Sequence, residues 1–251
     1  MITVKSAAEI EVMARAGAIV VDALREARRL AVPGNNTAAI DRAIRKTIED
    51  AGAKPAFLGY MGFPASSCIS LNAEVVHGIP SRERILVEGD IVSLDVGVEL
   101  EGYYADAAFT IALGEVGAEL LGCGRRCLEN AVSRCKVGNR LGDVSYAIEK
   151  TARDAGFDVI REYVGHGIGT KMHEEPQVPN YGLPGRGPRL VAGMALALEP
   201  MVVAGDWRTK VGRDKWTVVT QDGGVSAHFE HTVVITAGEP RVLTRGWEEF
   251  A

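Results

Sequence analysis

The chain has 251 residues, is 47% hydrophobic and carries 28 basic against 33 acidic side chains, a net charge of -5. A globular fold of that size buries roughly 70% of the surface its unfolded chain exposes, and the interspersed charges show no basic stripe of the kind that neutralises nucleic-acid phosphates. No stretch reaches the roughly 18 apolar residues of a membrane span, and none has a signal-peptide core, so a cytoplasmic protein with neither nucleic acid nor membrane as partner is expected.

Ser6 and Glu9 have the spacing of a capping box, and Ile10, Met13, Gly17, Val20, Val21 and Leu24 follow at helical spacing, predicting a first helix over about 7–29. Pro33 and Gly34 break it, Thr37 is the expected cap of a second helix, and Gly52 the expected stop. A loop rich in Pro, Gly and aromatics then leads to ILVEGDIVSLDVGVELEGYYADAAFTIALG, which reads as two strands around a short turn. The four cysteines, Cys68, Cys123, Cys127 and Cys135, form no C-x-x-C pair and are read as reduced thiols.

The chain resembles itself at a fixed offset. Residues 34–52 lie over residues 138–156 with nine identities, including Ala43 on Ala147, Lys46 on Lys150 and Gly52 on Gly156. The same shift places LVEGDIVSLD on LVAGMALALE, so Asp95 falls on Glu199, and with a longer loop Asp106 falls on Glu230. Each half reads helix, helix, strand with an acid, strand with an acid. The expected fold is α+β, one domain of two pseudo-symmetric halves, roughly 1–115 and 116–251. Their strands are expected to join in one mixed, mainly antiparallel sheet with helices on one face.

The four acids set the chemistry. Asp95 and Asp106 are equidistant from the junction of Leu100 and Glu101, so a symmetric hairpin would set them directly opposite each other. They lie among apolar residues with no Lys or Arg in either strand, where a carboxylate must be paired, protonated or metal-bound. Glu199, before Pro200, and Glu230 repeat the problem. If the halves face each other, four carboxylates converge on one cavity, and two divalent cations are the natural counter-charge. His166, in the glycine-rich YVGHGIGTKMHEEPQ, could complete the shell, while His173 and His77 suit a pocket mouth. His228 and His231 flank Glu230 and are expected on the opposite strand face, in structural roles. Phe57, Tyr60 and Phe63 make the loop before Cys68 a candidate apolar pocket wall, with Cys68 and Trp216 nearby.

Taken together, YMGFPASSCISLNAEVVHGIP, SLDVGVELEGYYAD, GHGIGTKMHEEPQVPNYG and ALEPM closely resemble the methionine aminopeptidases over nearly the whole chain. The type I form fits best, because the short step from His166 to Glu199 leaves no room for the helical insert of type II and the chain shows no N-terminal zinc-binding extension. The resemblance implies the pita-bread fold. It implies Asp95, Asp106, His166, Glu199 and Glu230 as metal ligands, with Asp106 and Glu230 bridging two divalent ions. It also implies His77 and His173 as substrate-binding histidines. In the reaction it implies, an activated hydroxide attacks the first peptide carbonyl, Glu199 shuttles a proton, His173 stabilises the oxyanion and His77 holds the scissile amide. Met172 departs from the pattern, standing where many members place an aromatic against the methionine side chain; methionine is apolar and adaptable enough to serve.

The implied substrates are peptides and nascent polypeptides with N-terminal Met and a small second residue, the ribosome being one place to meet them, and the implied state is a monomer. Mn²⁺, Fe²⁺, Co²⁺ and Zn²⁺ all suit the donor set. Two rival readings share the fold: an Xaa-Pro aminopeptidase or prolidase, which usually carries an additional N-terminal domain, and a non-enzymatic binding protein, which would have lost the metal shell that this chain retains.

Overall fold

Ser6 opens the first helix as expected. In the computed structural model, which describes residues 2–251, the Ser6 hydroxyl accepts from the Glu9 N–H at 3.4 Å and the Glu9 carboxylate accepts from the Ser6 N–H at 2.7 Å, capping α1 (Ala7–Leu30). The cap of α2 (Thr37–Asp50) differs from expectation: Asn36, not Thr37, accepts from the Ala39 N–H at 2.9 Å. Thr37 is buried one residue further in, and its hydroxyl donates to the Ser81 carbonyl, so it ties the helix start to a neighbouring loop.

The first half continues through β1 (Lys54–Pro55), β2 (Cys68–Leu71), β3 (Glu74–Val76), β4 (Ile91–Leu100) and β5 (Tyr103–Ala112). The second half repeats the pair of helices as α3 (Ala118–Arg134) and α4 (Leu141–Asp154), then adds β6 (Asp158–Val159), β7 (Gly165–Gly167) and β8 (Glu174–Val178). It ends with β9 (Ala195–Leu198), β10 (Met201–Val203), β11 (Thr209–Val211), β12 (Val218–Thr220), β13 (Ser226–His228), β14 (His231–Val234) and β15 (Arg241–Val242). No helix among the described residues is long and apolar enough to cross a membrane.

The hairpin β4–β5 corrects one expectation. Its turn is Glu101–Gly102, both at positive φ (51° and 82°), the backbone a two-residue type I′ turn requires. This register pairs Asp95 with Ala108 and Asp106 with Gly97. The two acids are therefore diagonal neighbours on one face rather than directly opposed, a spacing that leaves room for a cation between them.

The single sheet expected from the sequence is instead divided into four separate sheets, and every strand pairing in them is antiparallel. In the second half the equivalents of β4 and β5 are each interrupted at the acid, where Pro200 lacks an N–H to donate. The pairs Leu198 with His231 and Met201 with His228 lie on either side of this gap in one unbroken register. That register sets Glu199 opposite Glu230.

Strand alternation then sorts the faces. Val92, Leu94, Val96, Ala105, Ala107, Phe109, Leu196, Leu198 and Val233 join the helices in the main core, leaving Asp95, Asp106, Glu199 and Glu230 on the other face. Two threonines stitch the halves across that face. Thr232 Oγ1 accepts from the Asp106 N–H at 2.9 Å and donates to the Asp106 carbonyl at 2.8 Å. Thr110 Oγ1 does the same for His228, and the Glu230 N–H donates to the Ala108 carbonyl at 2.7 Å.

Replacing Thr232 by the isosteric Val removes both partners of the Asp106 backbone in a buried place, where each orphaned group costs about 1–3 kcal/mol. We expect Thr232→Val to lower the thermal midpoint by about 4–24 °C, at about 2–4 °C per kcal/mol for a chain of this size. Thr232→Ser should recover most of the loss. An unchanged midpoint for the Val variant would show that this stitch does not hold the halves together.

Candidate metal centre and substrate pocket

Asp106, His166 and Glu230 each bring one ligand atom within 4.8 Å of the others, and all three are buried. His166 reaches them from β7, which runs beside β9 with His166 opposite Ala197. Its Nδ1 lies 2.8 Å from the Gly167 carbonyl. In the neutral ring that contact keeps the proton on Nδ1, so the lone pair is on Nε2, 3.3 Å from Glu199 Oε1. A lone pair facing a carboxylate oxygen at this distance calls for a cation between them. Asp95 completes the set as the diagonal neighbour of Asp106 across the hairpin, lining the same cavity.

Burial dominates the electrostatics. It lifts Asp95 to about 7 and pushes Asp106 and Glu230 well above the usual carboxylate range, with repulsion among the acids adding to the effect. Glu199 goes the other way. Burial raises it too, but the nearby imidazoles of His228, His166 and His173 outweigh that and leave it lowered.

Asp106 Oδ1, Glu199 Oε1, Glu230 Oε1 and His228 Nε2 are buried without a hydrogen-bond partner. Buried acceptors left bare are costly, and no Lys or Arg among the described residues lines the cavity that holds them. Carboxylates with one or two imidazoles are a donor set that Mn²⁺, Fe²⁺, Co²⁺ or Zn²⁺ accepts. The residues present therefore fit a divalent metal centre.

The cluster forms one side of a cavity of about 160 Å³, and all twelve candidate site residues line it. Phe63 and Trp216 meet edge to face with ring centroids 5.2 Å apart, Met172 and Cys68 are buried beside them, and burial together with Asp95 pushes the Cys68 thiol well up, keeping it protonated. Tyr60 places its hydroxyl 2.8 Å from His173 Nδ1. His173 in turn packs against His166, ring centroids 4.2 Å apart, and burial plus His166 push it down to about 4. His77, lowered by burial, sits at positive φ (61°), a conformation costing an L-residue on the order of 1 kcal/mol and typical of residues held for function.

Phe57 lines the pocket as expected, and sequence reasoning missed three contributors. Met61 extends the pocket wall. Gly97 shapes it, since a Cβ there would come within 2.7 Å of the Phe57 ring and 3.2 Å of the Met172 methyl. The third is His228, expected on the far face. Its Nε2 lies 3.7 Å from Glu199 Oε2, and with His77, Tyr163 and Glu199 it lines a smaller cavity of about 110 Å³. The signal was available: His228 is two residues from Glu230, so strand alternation puts both on one face. His231 is structural as expected, stacked on Trp247 at 4.8 Å with Nδ1 2.9 Å from the Thr244 hydroxyl.

The sequence matches the model of Metallopeptidase family M24 over residues 11–237. A methionine aminopeptidase of Clostridium acetobutylicum is 49% identical over 97% of this chain and 99% of its own. Methionine aminopeptidase 1 of Mycobacterium tuberculosis is 47% identical over 96% of this chain and 94% of its own. The crystal structure of the methionine aminopeptidase of Thermotoga maritima superposes with a TM-score of 0.96 at 48% identity, covering 98% of this chain and 100% of that one.

A ligand that binds only the folded chain stabilises it by about 2.7 kcal/mol at a hundredfold excess over Kd. Added Mn²⁺ should therefore raise the thermal midpoint of metal-stripped protein by several degrees, and Asp106→Asn should abolish that rise while leaving the metal-free midpoint equal or higher. A normal Mn²⁺ response in Asp106→Asn would remove Asp106 from the donor set.

Proposed function

The chain belongs to metallopeptidase family M24 and, within it, to the type I methionine aminopeptidases of pita-bread fold, and we propose that it removes N-terminal methionine with the twelve residues named above, using two divalent ions. The observation that carries the residue assignment is that the carboxylate cluster and the apolar pocket share one small cavity. A side chain bound in the pocket brings its own backbone to the cluster. In this reading Asp95, Asp106, His166, Glu199 and Glu230 would hold the metal. Ions held there supply Lewis acidity and make water a nucleophile near neutral pH.

The remaining steps follow from the side chains. Glu199 is the one acid of the cluster held low, with His228 facing it at 3.7 Å, which supports its role in taking a proton from water and returning it to the leaving amine. His173 is neutral at working pH because its pKa is about 4. Burial raises the Tyr60 phenol, so it stays protonated and donates to His173 Nδ1. The ring proton is then on Nε2, where it donates to the carbonyl oxygen as negative charge develops. His77 holds the scissile amide from the mouth of the site. A free α-amine is attracted by the anionic cluster, which supports removal of a single N-terminal residue.

The pocket walls of Tyr60, Phe63, Cys68, Met172 and Trp216, with Phe57, suit an unbranched apolar side chain, and the crowding by His77 and His173 supports a small second residue. Cytoplasmic residence, a monomeric state, nascent chains as substrates and encounter at the ribosome belong to the same proposal, as does the origin of the fold in two duplicated halves, 1–115 and 116–251.

With Mn²⁺ or Co²⁺ restored, the protein should release Met from Met-Ala-Ser, release Leu from Leu-Ala-Ser much more slowly and leave Ala-Pro-Ser intact. At equal metal content, His173→Ala should lower kcat about 10²–10³-fold and Glu199→Gln about 10²–10⁴-fold. Near-normal turnover in either variant removes that role, and cleavage of Ala-Pro-Ser alone would favour the proline-specific relative.

A further inference from the structure

Residues 2–5 precede the first helix and take no part in the site, yet Lys5 is almost fully buried. Its ammonium lies 2.8 Å from Glu174 Oε2, with both side chains about 5% exposed. Lys5 Nζ also donates to Thr3 Oγ1 at 2.6 Å, and Thr3 Oγ1 donates to the same Glu174 oxygen.

Glu174 immediately follows His173. Its second oxygen, Oε1, accepts from the Thr170 N–H at 2.8 Å and the Lys171 N–H at 3.2 Å. One carboxylate therefore closes the turn 170–174 on one side and is gripped by the N-terminal segment on the other. Burial raises Glu174, but the bonds from Lys5 and Thr3 overcome it and hold the group down at about 2, so it is ionised throughout the working range.

The fit is close. A Cβ at Gly169 would lie 2.3 Å from Lys5 Cε and 2.7 Å from Glu174 Oε1. The segment is also anchored behind, where the Lys5 N–H donates to the Gly193 carbonyl at 2.8 Å, just ahead of the strand that leads to Glu199. The N-terminal strap thus spans the turn carrying His173 and the turn entering β9.

We propose that Lys5 is a positioning residue for the peptidase reaction, holding His173 in register with the metal cluster through Glu174. The inference rests on the reading of His173 as the oxyanion donor. A displacement of the order of an ångström in such a group can cost up to a hundredfold in rate, whereas binding of the substrate side chain is less affected, because of the pocket walls only Met172 lies in this turn while Tyr60, Phe63, Cys68 and Trp216 lie on other segments.

The test is a double-mutant cycle on Met-Ala-Ser turnover at matched Mn²⁺ content. Lys5→Met should lower kcat about tenfold with KM and Mn²⁺ affinity within about threefold, and Lys5→Arg, which keeps the charge, should recover most of it. In a His173→Ala background, Lys5→Met should have no further effect on kcat. Because removing Lys5 alone strands a buried carboxylate, Thr3→Val and the pair Lys5→Met with Glu174→Gln serve where the single variant folds poorly, and both should lower kcat with the same dependence on His173. Normal kcat in Lys5→Met, or the same fold loss with and without His173, would overturn the proposal. Normal turnover in His173→Ala itself would instead overturn the reading of His173 on which it stands.

Discussion

Four carboxylates are buried on one face of the paired strands, among apolar groups and without a Lys or Arg beside them. Transfer of a charge from water to such surroundings is avoided unless it is paired, neutralised or coordinated, and the raised Asp95, Asp106 and Glu230 express that strain. The fold concentrates the difficulty deliberately. Asp95 and Asp106 share a face through the type I′ hairpin, Glu199 stands opposite Glu230 where both strands break, and two threonine hydroxyls lock one pair of acids against the other. A cation at the centre relieves every one of these groups together.

The second constraint is the placing of an apolar pocket against that charge. Phe57 and Phe63 come from one loop and Met172 and Trp216 from two others, and Gly97 leaves the space that Phe57 and Met172 need. Between the pocket and the metal centre stands His173, kept neutral by burial and oriented by Tyr60. Its turn is fastened from outside by Glu174 and Lys5. Stability and chemistry are coupled here because the groups that orient His173 are themselves buried ions that require each other.

Much of this was legible before any coordinates. The repeat at fixed offset exposed the paired helices and the four acids, and the motifs around His77, His166 and Glu199 identified the family. Three features were not read correctly or at all, each for a physical reason. The opposition of Asp95 and Asp106 failed because a turn of two residues at positive φ moves the register by two, which the symmetric spacing of the acids does not reveal. His228 was assigned to the wrong face although period-two alternation pairs it with Glu230. Lys5 carried no sequence signal, since a lone lysine ahead of a capped helix looks like a solvated one until its partner, 169 residues later, folds over it.

The central claim is that the acid cluster is a site for two divalent ions, and anomalous diffraction from crystals grown with Mn²⁺ tests it most directly. The account predicts two peaks about 3.5–4 Å apart, with Asp106 and Glu230 reaching both and His166 reaching one. A single peak, or Mn²⁺ bound elsewhere while the four carboxylates stay bare, would contradict it.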